Sequence, residues 1–403
     1  MPNSAEISRL WVMAEKVCRY RSFRKFIGIC LLAFTSCILS ANGEFRGLEE
    51  RFVALYEEHN SAMVRVKAVY PPEDEGDDDL PQVVIGSGFF ISREGLIITN
   101  ASIVFDPLRV WVEHEQIAYS AEVVGMDSRT NIAFLRTHRL PKDFSYFHLA
   151  DRSDLPPVGS FILRLSMPLE FQASPNFGMV SGFESRFGER FFPCTYVRTT
   201  IPAGPGDGGS AYVDLTGRLL GIQVGSLPDV GSSYILPARA ALRIRDDLLF
   251  SGDVTYGWIG FEVELVSGVE FGRKLVLGQV FDDSPAAEVG LLEGDVLKQI
   301  GDYPIQSLDA LRNAMFYTRV GQYVDVRVDR DGEERRFSVQ VGARPEDEPM
   351  QVYEAVNPDD PIQNPLKETE PAGTDSALPF ADDYAGESPE EGQAEPPSGS
   401  GES

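Results

Sequence analysis

The chain has 403 residues, of which 43% are hydrophobic, so it is long enough for two or three domains with packed cores. Its formal net charge of −26 argues against nucleic acid as a partner, because phosphate binding requires clustered Lys and Arg. From Pro345 to Ser403 the chain carries 16 Asp or Glu and one Lys, among many Pro, Gly and Ser. We therefore predict an acidic disordered tail over residues 344–403.

An export signal is predicted at the N-terminus, over residues 1–43. A basic stretch within Arg19–Lys25 precedes the apolar run Phe26–Ser36, and small residues follow at Ser40–Gly43. The apolar run is short for a membrane-spanning helix. The pattern predicts export to the periplasm or cell envelope. It leaves open whether an uncleaved signal or a lipid on Cys37 anchors the protein, and whether the chain starts at Met13.

Cysteine usage gives no sign of a disulfide or a metal centre. Cys18, Cys30 and Cys37 fall within the predicted signal, which leaves Cys194 alone in the rest of the chain. One cysteine cannot form an internal disulfide, and no spacing such as C-x-x-C is present. We expect Cys194 to be a buried core residue, and we expect neither a metal nor a cofactor.

After the signal, the chain opens with a helical segment and continues with strands. An amphipathic helix is predicted over residues 44–61, with apolar residues at helical spacing: Leu48, Phe52, Leu55 and Tyr56. Over residues 62–250, many short runs rich in Val, Ile and Phe are separated by Gly, Pro and Asp. This pattern predicts an all-β sandwich or barrel.

A second, smaller domain is predicted over residues 253–343. A strand opens at Tyr256–Phe261, and Ser284–Gly290 forms a short helix with Ser at its cap and Gly at its end. Leu308, Leu311 and Met315 recur at helical spacing and mark a second helix. Two strands joined by a turn at Asp329–Gly332 close the domain.

Three motifs in the larger domain occur in a fixed order. The first motif is the pair of runs Gly86–Ser92 and Gly95–Asn100, the second is Val123–Leu135, and the third is Pro205–Ser210. Together with the smaller domain, they resemble the HtrA/Deg family of exported trypsin-like serine proteases that carry a C-terminal PDZ domain. The resemblance covers roughly residues 47–342. It implies a mainly β fold: a trypsin-like double β-barrel followed by a PDZ domain.

All three positions that match the family's catalytic triad are substituted. Where the family carries histidine, aspartate and nucleophilic serine, this chain has Ser102, Asn131 and Gly208. A serine nucleophile needs a base to take its proton and a third group to hold that base. Glycine has no side chain to attack with, and a serine hydroxyl cannot replace imidazole as a base at neutral pH. We therefore predict a catalytically inactive pseudoprotease.

An active serine endopeptidase with a displaced triad is the alternative. Ser210, two residues beyond the nucleophile position, would then be the nucleophile, and it would need one of the four histidines as its base: His59, His114, His138 or His148. The loop backbone raises a separate question. The N–H groups of Gly206 and Gly208 could form an oxyanion-hole-like nest, or the glycines could simply permit a tight turn.

The PDZ-like segment keeps the family's peptide-binding pattern. The resemblance implies that a peptide adds as a strand beside Phe261–Glu264 and places its terminal carboxylate on the N–H groups of Trp258–Gly260. The apolar residues of this set could equally belong to the domain core. The predicted peptide-binding residues are Tyr256, Gly257, Trp258, Ile259, Gly260, Phe261, Leu311 and Met315.

The sequence therefore predicts a peptide-binding protein of envelope quality control. Its expected partners are peptides or unfolded proteins with apolar C-termini, and an active HtrA-family protease that it regulates by mixed assembly. Adaptor and holdase roles fit the same residues. The family resemblance implies a homotrimer. A structural component of an envelope complex is a further alternative.

Overall fold

The computed structural model describes residues 46–72, 81–152, 154–187, 190–268 and 272–343. The predicted signal over 1–43, Cys37 and the predicted tail over 344–403 lie outside these residues. Helix α1 occupies residues 46–59 and continues into a 3-10 turn at Asn60–Ala62. Leu55 from this helix is fully buried in the main hydrophobic core. Within the described residues, no helix is both long and apolar enough to cross a membrane.

Six strands close into the first barrel, in the order β1-β2-β3-β6-β5-β4. The strands are β1 (Met63–Tyr70), β2 (Gln82–Phe90), β3 (Leu96–Thr99), β4 (Arg109–His114), β5 (Ile117–Asp127) and β6 (Ile132–Thr137). A 3-10 turn at Ala101–Ile103 follows β3. Closure removes free sheet edges, and Val, Ile and Leu side chains fill the interior.

The second barrel repeats this arrangement with the strand order β10-β11-β12-β9-β8-β7. Its strands are β7 (Phe161–Ser166), β8 (Ser174–Phe187), β9 (Arg190–Thr199), β10 (Ala211–Asp214), β11 (Leu219–Leu227) and β12 (Ser232–Pro237). A 3-10 turn at Pro228–Val230 joins β11 to β12. Cys194 on β9 is buried, as the sequence predicted.

Helix α2 (Ala238–Ser251) leads from the second barrel toward the C-terminal domain. The sequence pattern of residues 62–250 predicts strands only and does not predict this helix. Its Ala240 and Ile244 are fully buried in the core that both barrels share. The helix ends at Gly252, whose left-handed backbone is the usual helix stop.

The C-terminal domain has its own core and sheet. The strand order is β14-β15-β16-β18-β19, and β17 pairs with β16 while β13 pairs with β20. The strands are β13 (Gly257–Trp258), β14 (Phe261–Gly268), β15 (Gly272–Val280), β16 (Val296–Ile300), β17 (Tyr303–Pro304), β18 (Tyr323–Arg330), β19 (Glu333–Gln340) and β20 (Gly342–Ala343). Helices α3 (Pro285–Glu288) and α4 (Leu308–Tyr317) are capped by Ser284 and Ser307, whose hydroxyls accept backbone N–H bonds. Two barrels followed by a small sheet domain confirm the mainly β fold class.

Candidate functional site

The three positions predicted to match the triad lie close together where the two barrels approach each other. Ser102 lies in the 3-10 turn after β3, Asn131 directly precedes β6, and Gly208 lies in the loop between β9 and β10. The Ser102 N–H donates to Asn131 Oδ1 at 2.8 Å. A Cβ atom on Gly208 would lie 3.7 Å from Cδ1 of Ile103, the neighbour of Ser102. Residues 102, 131 and 208 therefore share one site, although they come from three distant segments.

The Asn131 side chain joins the two barrels. Its Oδ1 accepts from Ser102 in the first barrel, and its Nδ2 donates to the Val224 carbonyl of β11 in the second barrel at 3.0 Å. The residue is buried and has a φ of 58°, in the left-handed region that Asn tolerates better than most residues. An aspartate could accept from Ser102 but could not donate to Val224. The amide at this position therefore has a structural role that a carboxylate cannot fill.

The space beside Gly208 is occupied by another side chain. A Cβ atom built on Gly208 would come within 2.9 Å of Asn100 Nδ2. Asn100 is buried, and its Oδ1 has no hydrogen-bond partner among the described residues. The Ser102 hydroxyl, also buried, has none there either. A serine side chain at position 208 would therefore require the Asn100 amide to move. The sequence motif contains Asn100, but its spacing gives no hint of this packing.

The four histidines make their contacts elsewhere in the described structure. The His59 ring stacks on Phe147, His114 Nε2 bonds to the Ser61 carbonyl at 2.8 Å, His138 Nδ1 bonds to the Ser120 carbonyl at 3.1 Å, and His148 packs edge-on against Tyr146. Burial lowers the pKa of His59, although the Glu58 carboxylate opposes that shift. None of these contacts involves Ser102 or Ser210.

Ser210, the candidate displaced nucleophile, is fully buried at the start of β10. Its hydroxyl donates to the Asp207 carbonyl at 2.5 Å, and its N–H donates to the same oxygen at 3.1 Å. The Ser210 hydroxyl thus donates to a backbone carbonyl, and no imidazole of the described residues contacts it. It therefore lacks the base that a serine nucleophile requires.

Backbone and ion-pair contacts fix the loop around Gly208. Ser87 holds two of its carbonyls, because the Ser87 hydroxyl donates to Gly206 O and the Ser87 N–H donates to Gly208 O, both at 2.8 Å. Asp207 forms a buried ion pair with Arg164, Nη2 to Oδ2 at 3.1 Å. Within the described residues, no acceptor is assigned to the N–H groups of Gly206 and Gly208. The oxyanion-hole-like nest at these glycines remains a prediction.

The second candidate site lies in the C-terminal domain, beside β14. Among the described strands, β14 pairs with β15 alone and is an edge of its sheet. Phe261, Leu311 and Met315 are partly buried against the domain core. An edge strand next to partly buried apolar side chains is the arrangement in which an extended peptide can add as a further strand.

The loop that precedes β14 requires glycine at one position. Gly260 has a φ of 92°, and a Cβ atom there would lie 2.1 Å from Ser284 Cβ. Ile259 is buried, and its carbonyl accepts from Ala286 at 2.8 Å. The Trp258 ring packs against Phe281, with ring centroids 6.0 Å apart. Ile259 thus belongs to the core and Gly260 is also buried, whereas Trp258 and Phe261 are partly exposed beside the edge.

Tyr256 and Gly257, two of the predicted peptide-binding residues, make contacts away from β14 in the described structure, and their role in peptide binding stays a prediction. The Tyr256 hydroxyl donates to Asp127 Oδ2 of β5 at 2.8 Å, and the Arg129 guanidinium lies 4.3 Å from the ring centroid. Burial, together with the Asp127 charge, raises the pKa of Tyr256 well above its ordinary value. A Cβ on Gly257 would lie 2.9 Å from the Thr318 carbonyl. The Tyr256 side chain therefore packs on the first barrel and not on the edge strand, and Gly257 lies in β13 under tight packing.

Helix α4 is fixed to β9 of the second barrel by side chains at Arg312 and Asn313. The Thr195 N–H donates to Asn313 Oδ1 at 2.7 Å, and Asn313 Nδ2 donates to the Thr195 hydroxyl at 2.6 Å. Arg312 lies over the Phe191 ring at 4.5 Å. Sequence spacing marks the helix but does not predict these contacts with β9.

Comparison with known families gives a name to both domains. The profile of the trypsin-like peptidase domain matches residues 86–222, and the profile of the PDZ domain matches residues 257–341. The chain thus combines a trypsin-like peptidase domain with a PDZ domain. The order of the two domains agrees with the order that the sequence motifs predicted.

The chain is similar to proteins described as periplasmic serine endoproteases. The chain is 28% identical over 291 residues to a probable periplasmic serine endoprotease DegP-like of Pseudomonas fluorescens, an alignment that covers 69% of this chain and 60% of the relative. A protein of the same description from a Marinomonas species is 28% identical over 277 residues, covering 65% and 58% of the two chains. The chain therefore spans about 60% of the length of these relatives.

Solved structures share the fold. The HtrA-type protease AlgW with a tripeptide aligns with a TM-score of 0.60 and 24% identity, over 73% of this chain and 97% of that protein. A serine endoprotease from Yersinia pestis aligns with a TM-score of 0.51 and 21% identity, over 73% and 98%. At this level of identity, the likeness supports the fold alone.

Proposed function

We propose that this chain is an exported pseudoprotease of the HtrA/DegP type, which binds peptides or unfolded proteins through its PDZ domain without cleaving them. The nucleophile position carries the proposal. Gly208 has no side chain, and the Asn100 amide lies where a serine side chain would have to fit. Ser102 and Asn131 supply neither a base nor a carboxylate beside it, and peptide hydrolysis by this fold needs all three groups.

A cleavage assay on an unfolded protein tests the proposal. It compares the chain from residue 44 onward with its Ser210→Ala variant, beside an active HtrA-type protease as the positive control. We expect no cleavage by the natural chain. Cleavage that disappears in the Ser210→Ala variant would establish the displaced triad instead. A third sample combines Ser102→His, Asn131→Asp and Gly208→Ser. Cleavage by this variant would show that these three positions alone account for the expected lack of cleavage by the natural chain.

Binding is the second half of the proposal. The open edge of β14 and the partly buried Phe261, Leu311 and Met315 support it, as do solved relatives that contain bound peptides. We expect peptides with an apolar last residue to bind, and the same peptides with an amidated C-terminus to bind weakly. If neither form binds, a structural role in an envelope complex becomes the better hypothesis. Adaptor, holdase and regulator roles all use this binding step.

We further propose assembly as a homotrimer that can admit an active HtrA-family subunit. Several large apolar side chains are exposed near helix α1, which supports a protein contact there: Leu169 at 41%, Phe171 at 65% and Phe177 at 66% exposure. Phe177 packs on Phe52 of α1, with ring centroids 5.3 Å apart. Light scattering after gel filtration measures the mass directly. We expect the Phe171→Ser variant to elute as a monomer, and a monomeric natural chain would refute the assembly.

Export to the periplasm or cell envelope is proposed from the N-terminal pattern and from the periplasmic description of the relatives. Fractionation of cells that produce the full chain tests it, with a Cys37→Ser variant as the control for lipidation. Recovery in the cytosolic fraction would contradict the proposal. Recovery in the membrane fraction that depends on Cys37 would identify a lipid anchor.

A further inference from the structure

Edge strand β14 carries two different faces. Burial alternates along it: Phe261 and Val263 are partly buried against the PDZ core, whereas Glu262 and Glu264 are exposed. This alternation follows from strand geometry, in which successive side chains point to opposite sides of a sheet. The face that points away from the core is therefore acidic at two consecutive outward positions.

The two carboxylates have no salt bridge with a described residue. No Lys or Arg nitrogen in the described part of the chain lies within 4.0 Å of Glu262 or Glu264. In register, Glu262 is opposite Gln279 and Glu264 is opposite Val276, both uncharged. Lys274 lies one outward position further along β15, opposite Val266. The acidic pair thus lies on the strand that also offers a free edge.

A strand added to that edge continues the same alternation. If the last side chain of a peptide enters the groove beside Phe261, the next side chain back points outward, and so does the one two residues earlier. These two outward side chains then lie beside Glu262 and Glu264. Opposite charges on directly neighbouring strands attract each other, whereas like charges there are unfavourable.

We propose that the PDZ groove selects C-termini with an apolar last residue and with Lys or Arg at the penultimate position and two residues before it. This inference rests on the proposed peptide binding and adds the chemistry that discriminates between ligands. Glu262 and Glu264 are its specificity-determining residues. Their effect is confined to alternate peptide positions, because only those share the outward face.

The test must separate this effect from general attraction, because a chain of net charge −26 draws any cationic peptide toward it. Two decapeptides of identical composition are therefore compared by fluorescence anisotropy with the full chain. Both end in the same apolar residue. One carries its two Lys at the first and third positions before the last residue, and the other carries them at the second and fourth. A third peptide has Ala at all four positions.

We expect the first peptide to bind about three- to tenfold more tightly than the second, the range for two exposed ion pairs. That difference should shrink at high salt, because exposed charges are screened. The double variant Glu262→Gln, Glu264→Gln should lose most of the first peptide's advantage over the other two peptides. The matched control Glu288→Gln, Glu293→Gln, which removes two exposed carboxylates away from β14, should keep the preference.

Two results would overturn the inference, and they are distinguishable. If both lysine peptides bind equally to the natural chain, the specificity is wrong while the proposed peptide binding stands. If none of the three peptides binds, the proposed function fails and this inference fails with it. A preference that persists in the Glu262→Gln, Glu264→Gln variant would show that the selectivity comes from other residues.

Discussion

The chain contains two glycine-rich loops next to candidate sites, and they differ in what surrounds them. The loop at Gly206–Gly209 is enclosed: Ser87 holds its carbonyls, and Asn100 fills the space beside Gly208. The loop at Trp258–Gly260 leads into β14, whose outer edge pairs with no described strand. As proposed, the first site lacks the side chains of a triad, while binding at the second would use only backbone groups and an apolar groove.

Under the proposed function, the peptidase domain keeps its fold without its reaction. In the peptidase domain, Asn131 still receives the N–H of residue 102 and also reaches the second barrel. Polar contacts of this kind join the two barrels. Binding along a strand edge depends on main-chain hydrogen bonds, so it is insensitive to most side-chain changes.

The largest effect is expected at Gly209, one residue from the nucleophile position. Its φ is 84°, and a Cβ atom would lie 2.1 Å from the Ser87 carbonyl oxygen. Alanine at this position would have to adopt a left-handed backbone and would overlap the Ser87 carbonyl oxygen. We therefore expect Gly209→Ala to lower the free energy of unfolding by about 4 kcal/mol. Denaturant titration of the natural chain and the variant measures this.

Gly208→Ala is the matched control for that loop. Position 208 has no left-handed φ, and the nearest atom to its Cβ is the end of the Asn100 side chain. We expect a loss of about 1 kcal/mol or less. Equal losses at positions 208 and 209 would show that the loop is not held against Ser87 as described.

A similarly large effect is expected within the PDZ domain, at Asp295. Its carboxylate is almost fully buried, accepts two bonds from Arg330 at 2.6 and 2.7 Å, and accepts the Leu292 N–H at 3.0 Å. Asp295→Asn leaves the guanidinium without its charge partner, and we expect a loss of about 3 kcal/mol. Asp302→Asn, at an exposed position of the same domain, is the control.

This prediction also has a pH dependence. Burial acts to raise the pKa of Asp295, but the Arg330 and Leu292 hydrogen bonds outweigh it and hold the pKa below the ordinary value. A carboxyl with a lowered folded pKa stabilises the protein above its unfolded pKa, and that stabilisation is lost as the pH falls below about 4. The difference between natural chain and variant should therefore shrink in acid. A difference that stays constant down to about pH 2 would contradict the ionic explanation.

Much of the peptidase site could be predicted from the sequence, because its motifs set the register of each segment. The motifs on either side of Ser102, Asn131 and Gly208 predict that these residues match the triad positions, and the fold brings the three residues together. Asn100 could not be assigned its role in the same way. Its packing against Gly208 joins segments about a hundred positions apart, and no local spacing encodes that contact.

The PDZ prediction was limited for a similar reason. The run from Tyr256 to Phe261 predicts a strand and a loop, but it does not say toward which domain each side chain points. Tyr256 packs on the first barrel because Asp127 and Arg129 supply partners there. The sequence pattern does not predict the contacts between α4 and β9 either. Helical periodicity identifies the apolar face of a helix but does not say which element its polar face contacts.

A smaller loss is expected when the barrel-bridging amide is replaced. Asn131→Asp removes the donor to the Val224 carbonyl and places carboxylate oxygens against it in a buried site. We expect a loss of about 2 kcal/mol, the usual cost of a buried group left without its partner. Asn176→Asp on exposed β8 is the control and should change stability by less than about 0.5 kcal/mol. If Asn131→Asp leaves the free energy of unfolding unchanged, the contact between the barrels does not depend on this bond.

The smallest effect concerns the contact between the domains. Tyr256→Phe keeps the ring against Arg129 but removes the hydroxyl that donates to Asp127, a bond to a charged acceptor that we expect to contribute about 1.5 kcal/mol. Burial and the Asp127 charge hold the pKa of Tyr256 well above its ordinary value, so the hydroxyl stays a donor through neutral and mildly alkaline pH. The loss should therefore be the same at about pH 6 and about pH 9. Hydrogen exchange near residue 256 reports it locally, with exposed Tyr323→Phe as the control. Unchanged exchange in Tyr256→Phe would mean that ring packing alone holds the PDZ domain to the first barrel.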